Sequence, residues 1–94
     1  MAGTRRKRRR ARTGRFDGDK VRQLRERAGW TQQKLAAELR RAAIKTGVLS
    51  EQEADDHYSA STVSKWELVS RNPNYTTVWL MAQVFGVAME DFAE

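Results

Sequence analysis

This sequence predicts an all-α domain of about five helices around one core, preceded by a flexible basic arm. Three observations carry that reading. From Asp19 onward, apolar residues recur at helical spacing almost throughout. No segment shows the clean apolar–polar alternation of a strand. Capping residues and stopping glycines bracket the apolar stretches at helix-length intervals. There are no internal repeats, and 94 residues suit one small domain with a single modest core.

The arm comes first. Residues 1–15 contain Arg5, Arg6, Lys7, Arg8, Arg9, Arg10, Arg12 and Arg15 and no acid, so this stretch carries +8 of a chain whose net charge is +6. Everything after it is slightly acidic. A self-repelling block without apolar residues is expected to be disordered when alone and to seek a polyanion. The competing reading is a solubilising leader or a non-specifically RNA-adherent tail. The arm is assigned residues 1–16 and the folded domain residues 17–94.

The first helix follows, with Val21, Leu24 and Ala28 on one stripe and Gly29 as its stop. Thr31 then caps a second helix, with Trp30 and Leu35 at the two positions of a hydrophobic staple. Its apolar residues are Leu35, Ala36, Leu39, Ala42, Ala43 and, at the margin, Ile44; it runs to Thr46 and ends at Gly47. Ser50-Glu51-Gln52-Glu53 has the form of a capping box opening a short acidic segment to His57, either helix or structured loop. Ser59 or Ser61 caps the next helix, through Val63 and Trp66 to about Leu68, and Arg71-Asn72-Pro73 is a loop. Asn74 opens a helix with Tyr75, Val78, Trp79, Ala82 and Phe85 at helical spacing. Gly86 closes it, and Val87, Met89 and Phe92 form a last turn against the core.

Several function classes are disfavoured at once. There is no cysteine, and the single histidine, His57, cannot by itself assemble a zinc or iron site, so no cofactor or metal is expected. Asp55-Asp56-His57 reads as solvated acids on a loop, since no nucleophile or further ligand accompanies it. No run approaches a membrane span, and no apolar region follows the charged N-terminus as in a signal peptide, so a cytoplasmic protein is expected. Three tryptophans could serve as stacking platforms for single-stranded nucleic acid. Their helical spacing favours core packing instead.

Two stretches resemble a known family. Leu24-Arg25-Glu26-Arg27-Ala28-Gly29-Trp30-Thr31-Gln32-Gln33-Lys34-Leu35-Ala36 is the first. The second is Tyr58-Ser59-Ala60-Ser61-Thr62-Val63-Ser64-Lys65-Trp66-Glu67, followed by Asn72-Pro73-Asn74 and by Leu80-Met81-Ala82-Gln83-Val84-Phe85-Gly86-Val87. Together they are similar to the Cro/repressor-type, or XRE-type, helix-turn-helix DNA-binding proteins, over residues 19–92. The resemblance implies a non-enzymatic, repressor-like transcriptional regulator of bacterial type, associated with the nucleoid and binding double-stranded DNA as a homodimer.

A helix that reads bases must bury one face and present short polar residues at its first turn. Ala60, Ser61, Thr62, Ser64 and Lys65 make such a face, with Val63 and Trp66 opposite. By resemblance, Gln32 is a phosphate contact; Arg71 and, by their charge, Arg5, Arg6, Lys7, Arg8, Arg9, Arg10, Arg12 and Arg15 of the arm are expected to hold phosphates as well. Arg25 and Glu67 resemble the family's buried ion pair; the plainer alternative is two surface charges.

One departure is large. The family joins the corresponding helices by a tight turn, whereas Arg40 to His57 intervenes here, and its acidic second half would be repelled by phosphate. Residues 40–57 are therefore expected to face a protein partner or to serve dimerisation, and to be replaceable by a short turn without loss of DNA affinity. Ala88, where the family tends to place a capping serine, is a smaller departure. Two other functions fit the same residues: a protein-interaction adaptor with a non-specific nucleic-acid-binding tail, and an RNA-binding protein whose arm folds on its target.

Overall fold

The computed structural model describes residues 16–68 and 73–93. Among them the chain forms five α-helices and a closing 3-10 turn, and no strand beyond an isolated Phe16–Ala93 bridge. The helices are α1 (Gly18–Arg27), α2 (Gln32–Lys45), α3 (Glu51–His57), α4 (Ala60–Leu68) and α5 (Tyr75–Phe85), and the turn is Met89–Phe92.

Local chemistry sets most of the boundaries. Side-chain oxygens of Asp17, Thr31 and Asn74 accept from the backbone N–H groups of Lys20, Lys34 and Thr77, which the first helical turn would otherwise leave unpaired. At α3 the capping box is complete. Ser50 Oγ accepts from the Glu53 N–H at 3.2 Å, and Glu53 Oε1 accepts from the Ser50 N–H at 2.9 Å. Donation from the Ser50 backbone N–H, with a smaller contribution from the Ser50 hydroxyl, holds the Glu53 carboxyl below the usual carboxylate range. Gly86 ends α5 in the left-handed region at φ +70, where a side chain would be strained.

The core lies where α2 meets α4 and α5, with α1 and the closing turn packed on its flank. Val21, Leu35, Ala36, Leu39, Val63, Leu80 and Met81 have no exposed surface. Trp66 is buried, while Trp30 and Trp79 are half-buried against the same cluster, and Trp30 stacks on Phe85 at 5.6 Å. All three tryptophans therefore serve packing. Gly18 has a specific reason to lack a side chain: a Cβ there would run into the Trp66 carbonyl oxygen, so only glycine lets α1 begin against the end of α4.

Three expectations need correction. Phe16 does not belong to the arm. It is 8% exposed, stacks on Phe92 at 6.0 Å and bridges Ala93, and the next residue, Asp17, donates its backbone N–H to the Phe92 carbonyl at 2.7 Å. The charge run ends at Arg15, and the hydrophobic effect claims the following phenylalanine. In α5, Ala82 is buried and Val78, Trp79 and Phe85 pack on the core as their spacing predicts, but Tyr75 is 75% exposed, and Thr77, Leu80 and Met81 are buried as well. That helix is apolar nearly all round, so spacing alone did not set its phase.

The third correction concerns residues 40–57. They are not a detachable appendage. Ala43 and Ala54 have no exposed surface, Leu49 packs on the core, and Arg40 donates to the Tyr58 carbonyl at 2.6 Å. A short turn in their place would open the core and release the start of α4.

Candidate nucleic-acid interface

The first turn of α4 is made by Ser59. Its Oγ accepts from the Thr62 N–H at 3.2 Å and lies 3.1 Å from the Thr62 hydroxyl. Thr62 is thereby drawn to the cap and only partly exposed, while Ser61 and Lys65 are exposed and Ala60 and Ser64 half-buried. Helical geometry places Ser61, Ser64 and Lys65 on one strip, and Leu68, 68% exposed, continues it. The strip is narrow, polar and low, with one long cation.

Opposite this strip α4 is locked in place. Val63 has no exposed surface and Trp66 is 4% exposed, and α4 packs on both α1 and α2. Glu67 also points inward, and its carboxylate is only 1% exposed. A charge removed from water must be paired and hydrogen-bonded. Glu67 accepts from Arg25 Nε at 2.9 Å, from Arg25 Nη2 at 3.1 Å and from Gln32 Nε2 at 3.1 Å. Arg25 spends its remaining fork on the Trp30 carbonyl at 2.8 Å. One carboxylate thus joins α1, the turn into α2, the first residue of α2 and the end of α4. Hydrogen bonding to Glu67 raises the Arg25 pKa against the opposing pull of desolvation, and attraction to Glu67 and Glu26 adds to it.

Gln32 has a double position. One amide N–H is committed to Glu67, which leaves the second N–H and the carbonyl oxygen at the positive end of the α2 dipole. Sequence reasoning missed the bond to Glu67, as it missed the parts of Arg40, Tyr58 and Leu68; Tyr58 opens the family-like stretch, but no local motif marks its contacts. Arg71 and the arm residues Arg5 to Arg15 lie outside the described residues.

The acids of α3 are exposed, and His57 Nδ1 sits 2.8 Å from the Glu53 carbonyl. Among the described residues no three His, Asp or Glu side chains gather as a metal site, and no helix is long and apolar enough to cross a membrane. The last turn begins at Ala88 without a side-chain cap.

No curated protein and no solved structure matches this chain. A family model described as a helix-turn-helix domain matches residues 18–94, which takes in all five helices and the closing turn. Such domains support DNA binding in general and are typically non-enzymatic. The chain therefore belongs to the helix-turn-helix domain family, of the Cro/repressor-like, XRE type.

Proposed function

We propose that this protein is a sequence-specific double-stranded DNA-binding transcriptional regulator, working in the cytoplasm on the nucleoid. The observation that carries the proposal is the division of α4, whose inner side is fully committed to the core while its outer strip holds short polar residues and Lys65. Lys65 donates to guanine O6 or N7, Ser61 and Ser64 donate or accept at base edges, and Ala60 lets the backbone come close or meets a thymine methyl. Thr62 contributes at the cap end of the strip. Gln32 gives its second amide N–H to a phosphate, and Arg71 and the arm from Arg5 to Arg15 neutralise others. A homodimer on a two-fold site follows from the same family logic.

A second reading gains support from α3. Its Glu51, Glu53, Asp55 and Asp56 are exposed, a surface suited to a basic protein partner. That role adds to DNA binding without replacing it, because α3 also belongs to the core.

One titration tests the proposal, comparing a duplex enriched by selection, a random duplex and a structured RNA. The enriched duplex should bind at least about a thousandfold more tightly than the random one. Equal affinity for both duplexes would favour the adaptor, and tightest binding to RNA would favour an RNA-binding role. Removing residues 1–15 should weaken all duplexes alike and lower the salt slope by about 0.9 for each phosphate the arm no longer neutralises.

A further inference from the structure

The residue just before the cap of α4 is gripped from two sides. Tyr58 is 3% exposed, closes α3 as its C-terminal cap and precedes Ser59, the cap of α4. Its backbone carbonyl accepts from Arg40 Nη1 of α2 at 2.6 Å, and Arg40 Nε is steadied by Asp55 of α3 at 3.6 Å. Its hydroxyl pairs with the Thr77 hydroxyl of α5 at 2.8 Å inside the core. Its ring stands edge-on to Trp66 at 6.3 Å. Three helices thus converge on one residue, and its main chain leads directly into the first turn of the strip.

Geometry makes this junction consequential. Hydrogen bonds to base edges tolerate only a few tenths of an ångström, whereas a long cation follows a phosphate through larger displacements. A small tilt of α4 about its first turn would therefore cost base contacts and spare phosphate contacts.

We infer that Tyr58, held by Arg40 and Thr77, is a positioning residue that sets the pose of the first turn of α4 and with it the sequence preference. Tyr58 and Thr77 are buried, and the Arg40 guanidinium is spent on the Tyr58 carbonyl and Asp55, so all three act through α4. The inference rests on the reading of α4 as the base-reading helix.

The test compares affinities for the enriched and the random duplex, using full-length Arg40→Met and Tyr58→Phe at a temperature where circular dichroism shows each to be folded. The ratio of the two affinities should fall about tenfold in each variant, with random-duplex affinity held within about twofold. Arg40→Lys, which keeps the charge and a donor, should restore most of the ratio. Tyr58→Phe removes one hydroxyl and no packing, so it keeps the test alive if Arg40→Met fails to fold. An unchanged ratio in folded Tyr58→Phe overturns the inference, and so does an equal loss on both duplexes. A Ser61, Thr62, Lys65 triple-alanine variant separates the two layers. If it keeps the ratio, α4 is not the reader; if it alone loses the ratio, α4 reads and only the positioning role fails.

Discussion

The two sides of α4 obey opposite rules. Inward, Val63 and Trp66 are packed and the Glu67 carboxylate takes three hydrogen bonds from two other helices. Outward, Ser61 and Lys65 stand open. Under the proposed function, the contrast teaches how so small a domain can present a recognition surface: the folding energy comes from one side of the helix, which leaves the other side free for a ligand. Substitutions should sort accordingly, inward ones costing stability and outward ones costing recognition.

The largest effect should come from separating the buried pair. Arg25→Met leaves the Glu67 side chain, 1% exposed, without its cation, and Glu67→Gln leaves Arg25, 12% exposed, without its hydrogen-bonded carboxylate, a loss on the order of 3–5 kcal/mol. Thermal denaturation reads it, and a loss under about 1 kcal/mol would reduce the pair to a surface contact and break the comparison.

Lys65→Ala sharpens the other side. Stability should stay within about 0.5 kcal/mol of wild type, because an exposed side chain makes little packing contact. Affinity for the preferred duplex should fall by about 1–3 kcal/mol, with preference relaxed at one base position. Gln32→Ala spans both sides. It should cost about 1–2 kcal/mol of stability by removing the bond to Glu67, and weaken all duplexes alike, since a phosphate contact carries no base information.

The smallest effect belongs to α3, which lies outside the comparison and serves as its control. Ser50→Ala should cost about 1 kcal/mol by removing a cap. The capping box also predicts a pH dependence. The Glu53 carboxyl is held below its ordinary range in the fold, so its contribution is complete above that range and lost as pH falls through the lowered value. Acid titration of wild type against Glu53→Gln measures it. Only wild type should lose this increment, and the enriched DNA motif should be the same for both.

What was legible in the sequence follows the range of the interactions. Caps at Thr31, Ser50 and Asn74 and the stop at Gly86 depend on residues three or four apart, so a window of the sequence contains their whole cause. The pairing of Arg25 with Glu67 spans 42 residues and could be anticipated only through resemblance to a family. Gln32 to Glu67 and Arg40 to Tyr58 span 35 and 18 residues and carry no local signature. Phe16 was hidden by the arginines before it, and the phase of α5 by its apolar character on every side. For residues 40–57 the acids were conspicuous and Ala43 was legible as part of the α2 stripe, while Ala54, which fixes the second half of the segment to the core, was not. Small buried residues announce themselves poorly.

The central claim is that the outward strip of α4 reads sequence. Selection from a random duplex library, with wild type and with the Ser61, Thr62, Lys65 triple-alanine variant side by side, tests it most directly. The strip is exposed, so the variant should melt close to wild type. Wild type should enrich a defined motif, and the variant should enrich none, or one degenerate at the positions these side chains contact. Enrichment of the same motif to the same extent by both proteins would contradict the account.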